Sequence, residues 1–385
     1  MRIGVLTYHR AINYGAVMQA YSLQMRLRRD FPEAQIELID FNPRTRELFK
    51  IKCPLVFIYR RGISAAIKKA TQTRVFSKFV KRLPIGKKML SKSFSDIEEY
   101  MSKSYDVVIV GSDAVFNWND IGIPNPYFLA NTRVGHKLSY AASSHLQFYG
   151  KVGERDREYL NRALADFDYL GVRDDGTARF VDGFLGDGKT HHNCDPTVFL
   201  EMDFPYDDLE KKLKKHGFDF NKKTVFVMLM HPEYATFARK HFGNDVQIVA
   251  LMDSNTSADI YLHDLNPFEW AHVFSYGDFL VTDYFHGTIL GLKNGIPVLS
   301  IDASKYCVDG YESKAHDLLC KRLGVPDLYI NSSELSGDGG YEKFSARVSL
   351  IEQSFSKDEV FSAFDREAKS YESFRDALMQ MMEDK

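Results

Sequence analysis

The chain alternates two hydrophobic patterns. Short apolar runs at Arg2–Tyr8, Ile36–Phe41, Asp106–Val110, Lys137–Ala142 and Tyr169–Val172 read as strands buried on both faces. Between them apolar residues return at helical spacing, as at Ala16, Ala20, Leu23 and Leu27. The second half repeats the arrangement. Strands are predicted at Thr224–Met230, Val246–Met252, Phe279–Thr282 and Pro297–Ile301, and helices at Glu233–Phe242, Asn266–Tyr276 and His286–Asn294. Asn266-Pro267 puts a proline at the first helical position, where its missing N–H costs nothing. The last stretch, Phe355–Met382, reads as one long amphipathic helix. Strands that alternate with helices predict an α/β fold of mainly parallel sheets with helices on both faces.

A chain of 385 residues exceeds what one core usually supports. Two Rossmann-like domains facing a cleft are expected, residues 1–200 and 201–385, because Asp195-Pro196 and Phe204-Pro205 interrupt the pattern between them. The final helix, about 355–382, is expected to pack back on the first domain. In open α/β sheets ligands bind beyond the carboxyl ends of the strands, so chemistry is sought there.

Charge changes the picture in one place. The net charge of −2 gives no field for nucleic acid. Residues 44–92, however, form a basic insertion with 15 Lys or Arg and one acid, Glu47. Within it Pro54–Leu83 mixes apolar and cationic residues at helical spacing. That pattern suits peripheral contact with an anionic inner membrane face or a lipid diphosphate, and it suits equally a solvated basic helix lying on its own domain. No apolar run reaches the roughly 18 residues that span a bilayer, and the opening MRIGVLTY is a strand rather than a secretory signal. A cytoplasmic protein is expected. Cys53, Cys194, Cys307 and Cys320 lack zinc-site or C-x-x-C spacing, and no His/Asp/Glu cluster indicates a metal.

Four segments at strand ends carry candidate chemistry. Tyr8–Gln19 joins the first strand to the first helix. There Asn13 and Gly15 read as a cap and a turn, or as an anion site, while His9 and Arg10 are expected to face the cleft. It is not a dinucleotide fingerprint. Gly111-Ser112-Asp113 follows a buried strand, and either holds a sugar hydroxyl or forms a local turn. Gly171-Val172-Arg173-Asp174 ends another, where Arg173 projects into the cleft to meet a carboxylate or phosphate, or pairs with Asp174 on the surface. In Val281–Thr288 (VTDYFHGT), His286 stands at a strand–helix junction as a candidate acid or base, and Gly287 leaves room for a ligand.

In this order the segments resemble the polysaccharide pyruvyl transferase family. Asn13–Ala16 is similar to its N-Y-G-A, Gly111–Asn117 to its G-S-D-Q-V-W-N, and Tyr140–Ser143 to its Y-A-A-S. Val172–Asp174 is similar to V-R-E/D, Asp195–Thr197 to D-P-T and Thr282–Thr288 to T-D-S-F-H-G-T. The resemblance implies two Rossmann-like domains of the GT-B type. It also implies phosphoenolpyruvate as co-substrate, no cofactor, and a hexose acceptor, lipid-linked in some pathways, on which a pyruvate ketal forms. It assigns Arg173 and His286 to the donor, with Tyr284, Phe285, Gly287 and Thr288 completing the donor pocket. Asp113 is then a third catalytic candidate, grouped on the acceptor side with His9, Arg10, Asn13, Gly15 and Ser112. Two departures stand out. Many members carry R-L-H where this chain has Tyr284-Phe285-His286, and Ala114 and Phe116 replace Gln and Trp. The alternatives are a GT-B glycosyltransferase using a nucleotide sugar, and a non-catalytic sugar-binding protein of the same pathway.

Overall fold

The computed structural model describes residues 1–41, 63, 66–89, 93–145, 149–205, 208–252, 256–303 and 312–383. The chain divides into two compact units. One comprises Met1–Ala66, Ser77–Leu200 and Ala368–Lys385, the other Ile67–Phe76 and Glu201–Glu367.

The first unit holds β1 (Arg2–Leu6), β2 (Gln35–Leu38), β3 (Val107–Asp113), β4 (His136–Ala142), β5 (Tyr169–Val172) and β6 (Thr190–His192), in the order β2-β1-β3-β4-β5-β6. The second holds β7 (Thr224–Met228), β8 (Gln247–Leu251), β9 (Ile260–Leu262), β10 (Phe279–Thr282), β11 (Val298–Asp302) and β12 (Tyr329–Asn331), in the order β12-β11-β10-β7-β8-β9. Every pairing is parallel. In each sheet the chain moves outward on one side of its first strand and then returns to build the other side. The strand order therefore reverses between β1 and β3, and again between β7 and β10. At such a reversal the helices leave on opposite faces and open a crevice at the carboxyl ends.

The buried apolar runs account for the inner strands. β7, β8, β10 and β11 are buried at every position, as parallel strands covered on both faces require. β6, β9 and β12 have three residues each, too few to show a period in the sequence. β3 runs on through Gly111, Ser112 and Asp113, so these residues are strand rather than a cap after it. Gly111 has φ +122°, and a Cβ there would lie 2.2 Å from the Tyr140 carbonyl oxygen, so only glycine fits.

The expected long C-terminal helix is two helices, Lys357–Ala368 and Tyr371–Glu383. The break at Lys369-Ser370 is fastened to the first unit. The Ser370 carbonyl accepts from Asn193 Nδ2 at 2.9 Å, and its hydroxyl accepts from the Cys194 N–H at 2.8 Å. Beyond it, Phe374 sets its ring 4.9 Å from Tyr140 and 5.4 Å from Tyr169, and Arg26 covers Tyr371 at 4.6 Å. Much of the basic insertion, 42–62, lies outside the described residues. Residues 66–80 form a helix that buries Phe76, Phe79 and Val80. The chain then bridges Ile85 to Leu38 along β2. No helix among the described residues is long and apolar enough to cross a membrane.

Phe374 is fully buried among aromatic rings. Phe374→Ala should cost about 3–5 kcal/mol of stability through the cavity it leaves. Urea unfolding checks this, and a loss under about 1 kcal/mol would show that the last helix does not depend on that ring.

Candidate functional site

At the reversal in the first sheet, the chain leaving β1 meets the ends of β2 and β3. Thr7 Oγ1 donates to the Ser112 carbonyl at 3.0 Å and Tyr8 Oη to the Ala114 carbonyl at 3.3 Å. His9 does not face solvent. It is fully buried, with one ring nitrogen 3.3 Å from the Thr7 carbonyl and the other 3.3 Å from Asp40 Oδ1. Arg10 grips both oxygens of the same carboxylate. Burial alone would raise the pKa of Asp40, but the hydrogen bonds from Arg10 and His9 outweigh it and hold the carboxyl well below its ordinary value. This pairing therefore stabilises the fold above the usual carboxylate range, near pH 4, and is lost as the pH falls below it. The expectation that His9 and Arg10 present their charges to a ligand is thus corrected: Asp40 takes both. Asn13 is the N-cap of the helix Tyr14–Asp30, accepting from the Ala16 N–H at 3.3 Å, and Gly15 is buried in the first turn.

Arg173 follows neither of its expected courses. It is 5% exposed and donates to Asp195 Oδ2 at 2.8 Å. Asp195 also accepts from Gln19 Nε2, from the Thr197 N–H at 3.0 Å and from Thr197 Oγ1 at 2.6 Å. Ser22 Oγ donates to the Pro196 carbonyl at 2.6 Å. Burial would lower the pKa of Arg173, but the charges of Asp195, Asp113 and Asp174, in that order, outweigh it and raise it. Asp174 is not a surface partner either. It caps the helix Asp175–Leu185 through the Thr177 N–H at 2.8 Å and accepts from Ser143 Oγ at 2.8 Å. A register irregularity between β4 and β5 from Ser139 to Ala142, with Ala141 at φ +46°, delivers Ser143 to it. Asp113, at φ +87°, accepts from its neighbour Ala114 N–H at 2.8 Å. Ser112 is fully buried, and its hydroxyl has no hydrogen-bond partner among the described residues. One network thus joins Gln19, Arg173 and Asp195, and a second joins Ser143, Asp174 and Thr177.

In the second unit, Thr282 Oγ1 donates to the Met228 carbonyl at 2.9 Å and accepts from the Tyr284 N–H at 3.0 Å. Tyr284 is the N-cap residue of the helix Phe285–Lys293 but gives it no side-chain cap, and the first turn carries no acid. Gly287 does not make room for a ligand. A Cβ there would lie 2.8 Å from Thr282 Oγ1 and 3.0 Å from Met228 Sδ, so the glycine lets the helix start pack on the strands. Thr288 also turns inward, donating to Ser300 Oγ at 2.8 Å. His286 is largely buried, 5.2 Å from the Phe285 ring, and Lys314 Nζ stands 5.1 Å over that same ring. Asp283, with its side chain buried, accepts from the Met230 and His231 N–H groups at 2.9 and 3.1 Å and from His231 Nδ1 at 3.0 Å. Burial pushes its carboxyl above the ordinary value, only partly offset by these donors.

Reading the sequence missed Asp40, Gln19, His231 and Lys314, and it named Asp195 and Asp283 only within their motifs, without the partners that each meets. Asp40 and Asp283 each stand just past a strand and could have been found by asking what neutralises the cations beside them. Lys314 has no such signal.

Two parallel-sheet α/β domains with polar networks at their strand ends define a fold of the GT-B type. The UDP-GlcNAc 2-epimerase from Methanocaldococcus jannaschii superposes with a TM-score of 0.54 at 11% identity, over 97% of this chain and 99% of that one. The enzyme from Neisseria meningitidis bound to UDP-GlcNAc gives 0.53 at 9% identity, over 99% and 100%. At such identity the likeness is one of fold. No curated protein matches the sequence. The profile of the polysaccharide pyruvyl transferase family matches residues 13–305, and the chain belongs to that family. It is a transferase of polysaccharide biosynthesis.

Removing Asp195 would leave a guanidinium buried without its carboxylate. Asp195→Asn should cost about 3–5 kcal/mol. Adding Arg173→Leu should cost little more, because both changes break one contact. Urea titration of the single and double variants reads this, and additive losses would mean that the main partner of Arg173 lies elsewhere.

Proposed function

We propose that the chain transfers a pyruvyl group from phosphoenolpyruvate to a hexose of a cell-surface polysaccharide precursor, forming a pyruvate ketal. The start of the helix Phe285–Lys293 carries the reading. Its N-cap residue, Tyr284, gives it no side-chain cap, its first turn contains no acidic residue, His286 lies in that turn, and Lys314 Nζ stands 5.1 Å over the Phe285 ring. Such a helix end favours an anion. Lys314 brings a cation over Phe285, next to Tyr284, the position at which many family members carry an arginine.

Ketal formation asks for a proton at the methylene carbon of the enol ester, bond formation from a sugar oxygen to the central carbon, departure of phosphate, and closure by a second hydroxyl. His286 is the acid, and Lys314 and the helix end hold the phosphate. The reaction needs no further cofactor. On the first unit the unpartnered hydroxyl of buried Ser112, next to Asp113, supports an acceptor-hydroxyl contact there. Arg173 acts in this reading by positioning: its bond to Asp195 ties the end of β5 to the chain after β6, beside Asp174.

The test is phosphorus NMR with phosphoenolpyruvate and galactose- or N-acetylmannosamine-type acceptors. The wild-type protein should release inorganic phosphate, and His286→Ala should slow release by roughly 10²–10⁴-fold. Phosphoenolpyruvate, and not UDP-GlcNAc, should raise the melting temperature. The reverse pattern would make the protein a nucleotide-sugar transferase. No turnover with any donor would leave a sugar-binding protein.

The acceptor's setting follows from the basic insertion. No acid occurs from residue 63 to 89. Ile63 and Ile67 are 69% and 61% exposed, and Arg74, Lys78 and Lys81 are exposed at helical spacing beyond them. This stripe fits the anionic inner membrane face, where a lipid-linked acceptor would sit. Phosphatidylglycerol vesicles should co-sediment the protein and phosphatidylcholine vesicles should not. Replacing Arg74, Lys78 and Lys81 by Glu should weaken binding by on the order of 10²-fold or more, at about 1 kcal/mol per basic residue. Equal sedimentation with both vesicle types would remove the membrane from the proposal.

A further inference from the structure

The second sheet reverses its strand order between β7 and β10, and both strands end in residues that meet across the reversal. His231 follows β7 and Asp283 follows β10. Asp283 is wholly buried at its side chain and is aimed by two backbone donors, the N–H groups of Met230 and His231. Its remaining contact is with His231 Nδ1 at 3.0 Å, while the His231 side chain is 42% exposed. A carboxylate that accepts from Nδ1 fixes which ring nitrogen carries the proton, leaving Nε2 as the acceptor. A solvent-facing imidazole with a buried carboxylate behind it, at the crevice where such sheets bind ligands, is an arrangement for taking a proton. The other groups near it are Tyr234, whose ring lies 6.0 Å away, and Glu233, which begins the next helix. Neither replaces Asp283 at Nδ1.

We propose that His231 is the general base of the transfer, with Asp283 as its positioning residue. The role rests on the pyruvyl-transfer reading above. His231 Nε2 takes the proton of the attacking sugar hydroxyl as its oxygen bonds to the central carbon of the enol ester. The electron pair of the double bond moves to the methylene carbon, which accepts a proton from His286. The C–O bond to phosphate then breaks with its electron pair going to phosphate. The second sugar hydroxyl bonds to the same carbon and gives its proton to His286, while His231 passes its proton to the departing phosphate, so both imidazoles are restored and two hydroxyls and one enol phosphate yield one ketal and one hydrogen phosphate. His231 and His286 have separate duties and are linked through Asp283, which lies three residues before His286 in the chain and hydrogen-bonds to His231.

The test measures phosphate release by wild type, His231→Ala, His231→Gln and Asp283→Asn, each checked for its melting temperature. Both His231 variants should lose roughly 10²–10⁴-fold in kcat with KM for phosphoenolpyruvate little changed. Added imidazole should restore part of the rate to His231→Ala and none to His286→Ala, a response that a packing role would not produce. Asp283→Asn should lose less than removal of the ring does. If wild type turns over and the folded His231 variants stay within about threefold of it, the base is elsewhere and the proposal falls alone. If His231→Ala is inactive, folded and unresponsive to imidazole, the ring is structural and the proposal also falls. Wild type that releases no phosphate overturns the pyruvyl reading and this role together.

Discussion

A charge taken out of water must meet an opposite charge, and this requirement organises the strand ends of both units. Arg173 at the end of β5 is matched by Asp195 after β6, and Asp40 after β2 by Arg10 after β1; Asp283 after β10, also buried, is met by backbone N–H groups and by the His231 ring after β7. Each pair joins loops that the sheets alone would leave independent. The desolvation cost of such pairs is large and their net stabilisation small, so they are better understood as fixing geometry than as holding the fold together. The apolar strands and the aromatic packing around Tyr140 do that work.

The same requirement separates what was legible in the sequence from what was not. The alternation of buried strands and amphipathic helices located nine of the twelve strands within a few residues, because burial on both faces of a parallel sheet leaves a dense apolar run. β6, β9 and β12 escaped because three residues carry no period. The single C-terminal helix was over-read, since hydrophobic periodicity continues through Lys369-Ser370 while the backbone there bonds to Asn193 and Cys194. The motifs were visible, but their wiring was not. Asp195-Pro196-Thr197 looked like a boundary, and only in three dimensions does Asp195 become the counter-ion of Arg173.

Side-chain direction was the least legible property. Position at a strand's carboxyl end suggested that His9, Arg10, Arg173, Gly287 and Thr288 all face a ligand. Yet the end of a parallel strand is crowded by its neighbours, and a polar group there first satisfies whatever lies within 3 Å. Thr288 finds Ser300, Asn13 finds the Ala16 N–H, and Gly287 has Thr282 where a side chain would go. Ser112, buried with an unpartnered hydroxyl, is the informative exception. An unmet polar group costs about 1–3 kcal/mol and is retained where something else meets it.

These observations divide the chemistry between kinds of residue. Buried residues bonded to the chain itself, Arg173 to Asp195 and Thr288 to Ser300 among them, hold strand ends in place. In the proposed reading, His231, whose side chain is half exposed, and His286 and Lys314 at the start of the helix Phe285–Lys293 are the groups assigned to the ligand. The substitution of Tyr284 for the arginine common in the family then need not remove donor binding. A phosphate responds to the sum of nearby positive potential rather than to one side chain, and a lysine brought in from beyond β11 over the ring of Phe285 contributes to that sum as an arginine one residue earlier would. What changes is geometry: an ammonium is a point charge with rotatable donors, whereas a guanidinium is a planar fork. The proposed donor site would therefore hold its phosphate less by bidentate pairing than by the helix end and the lysine together, with the two imidazoles assigned to proton transfer.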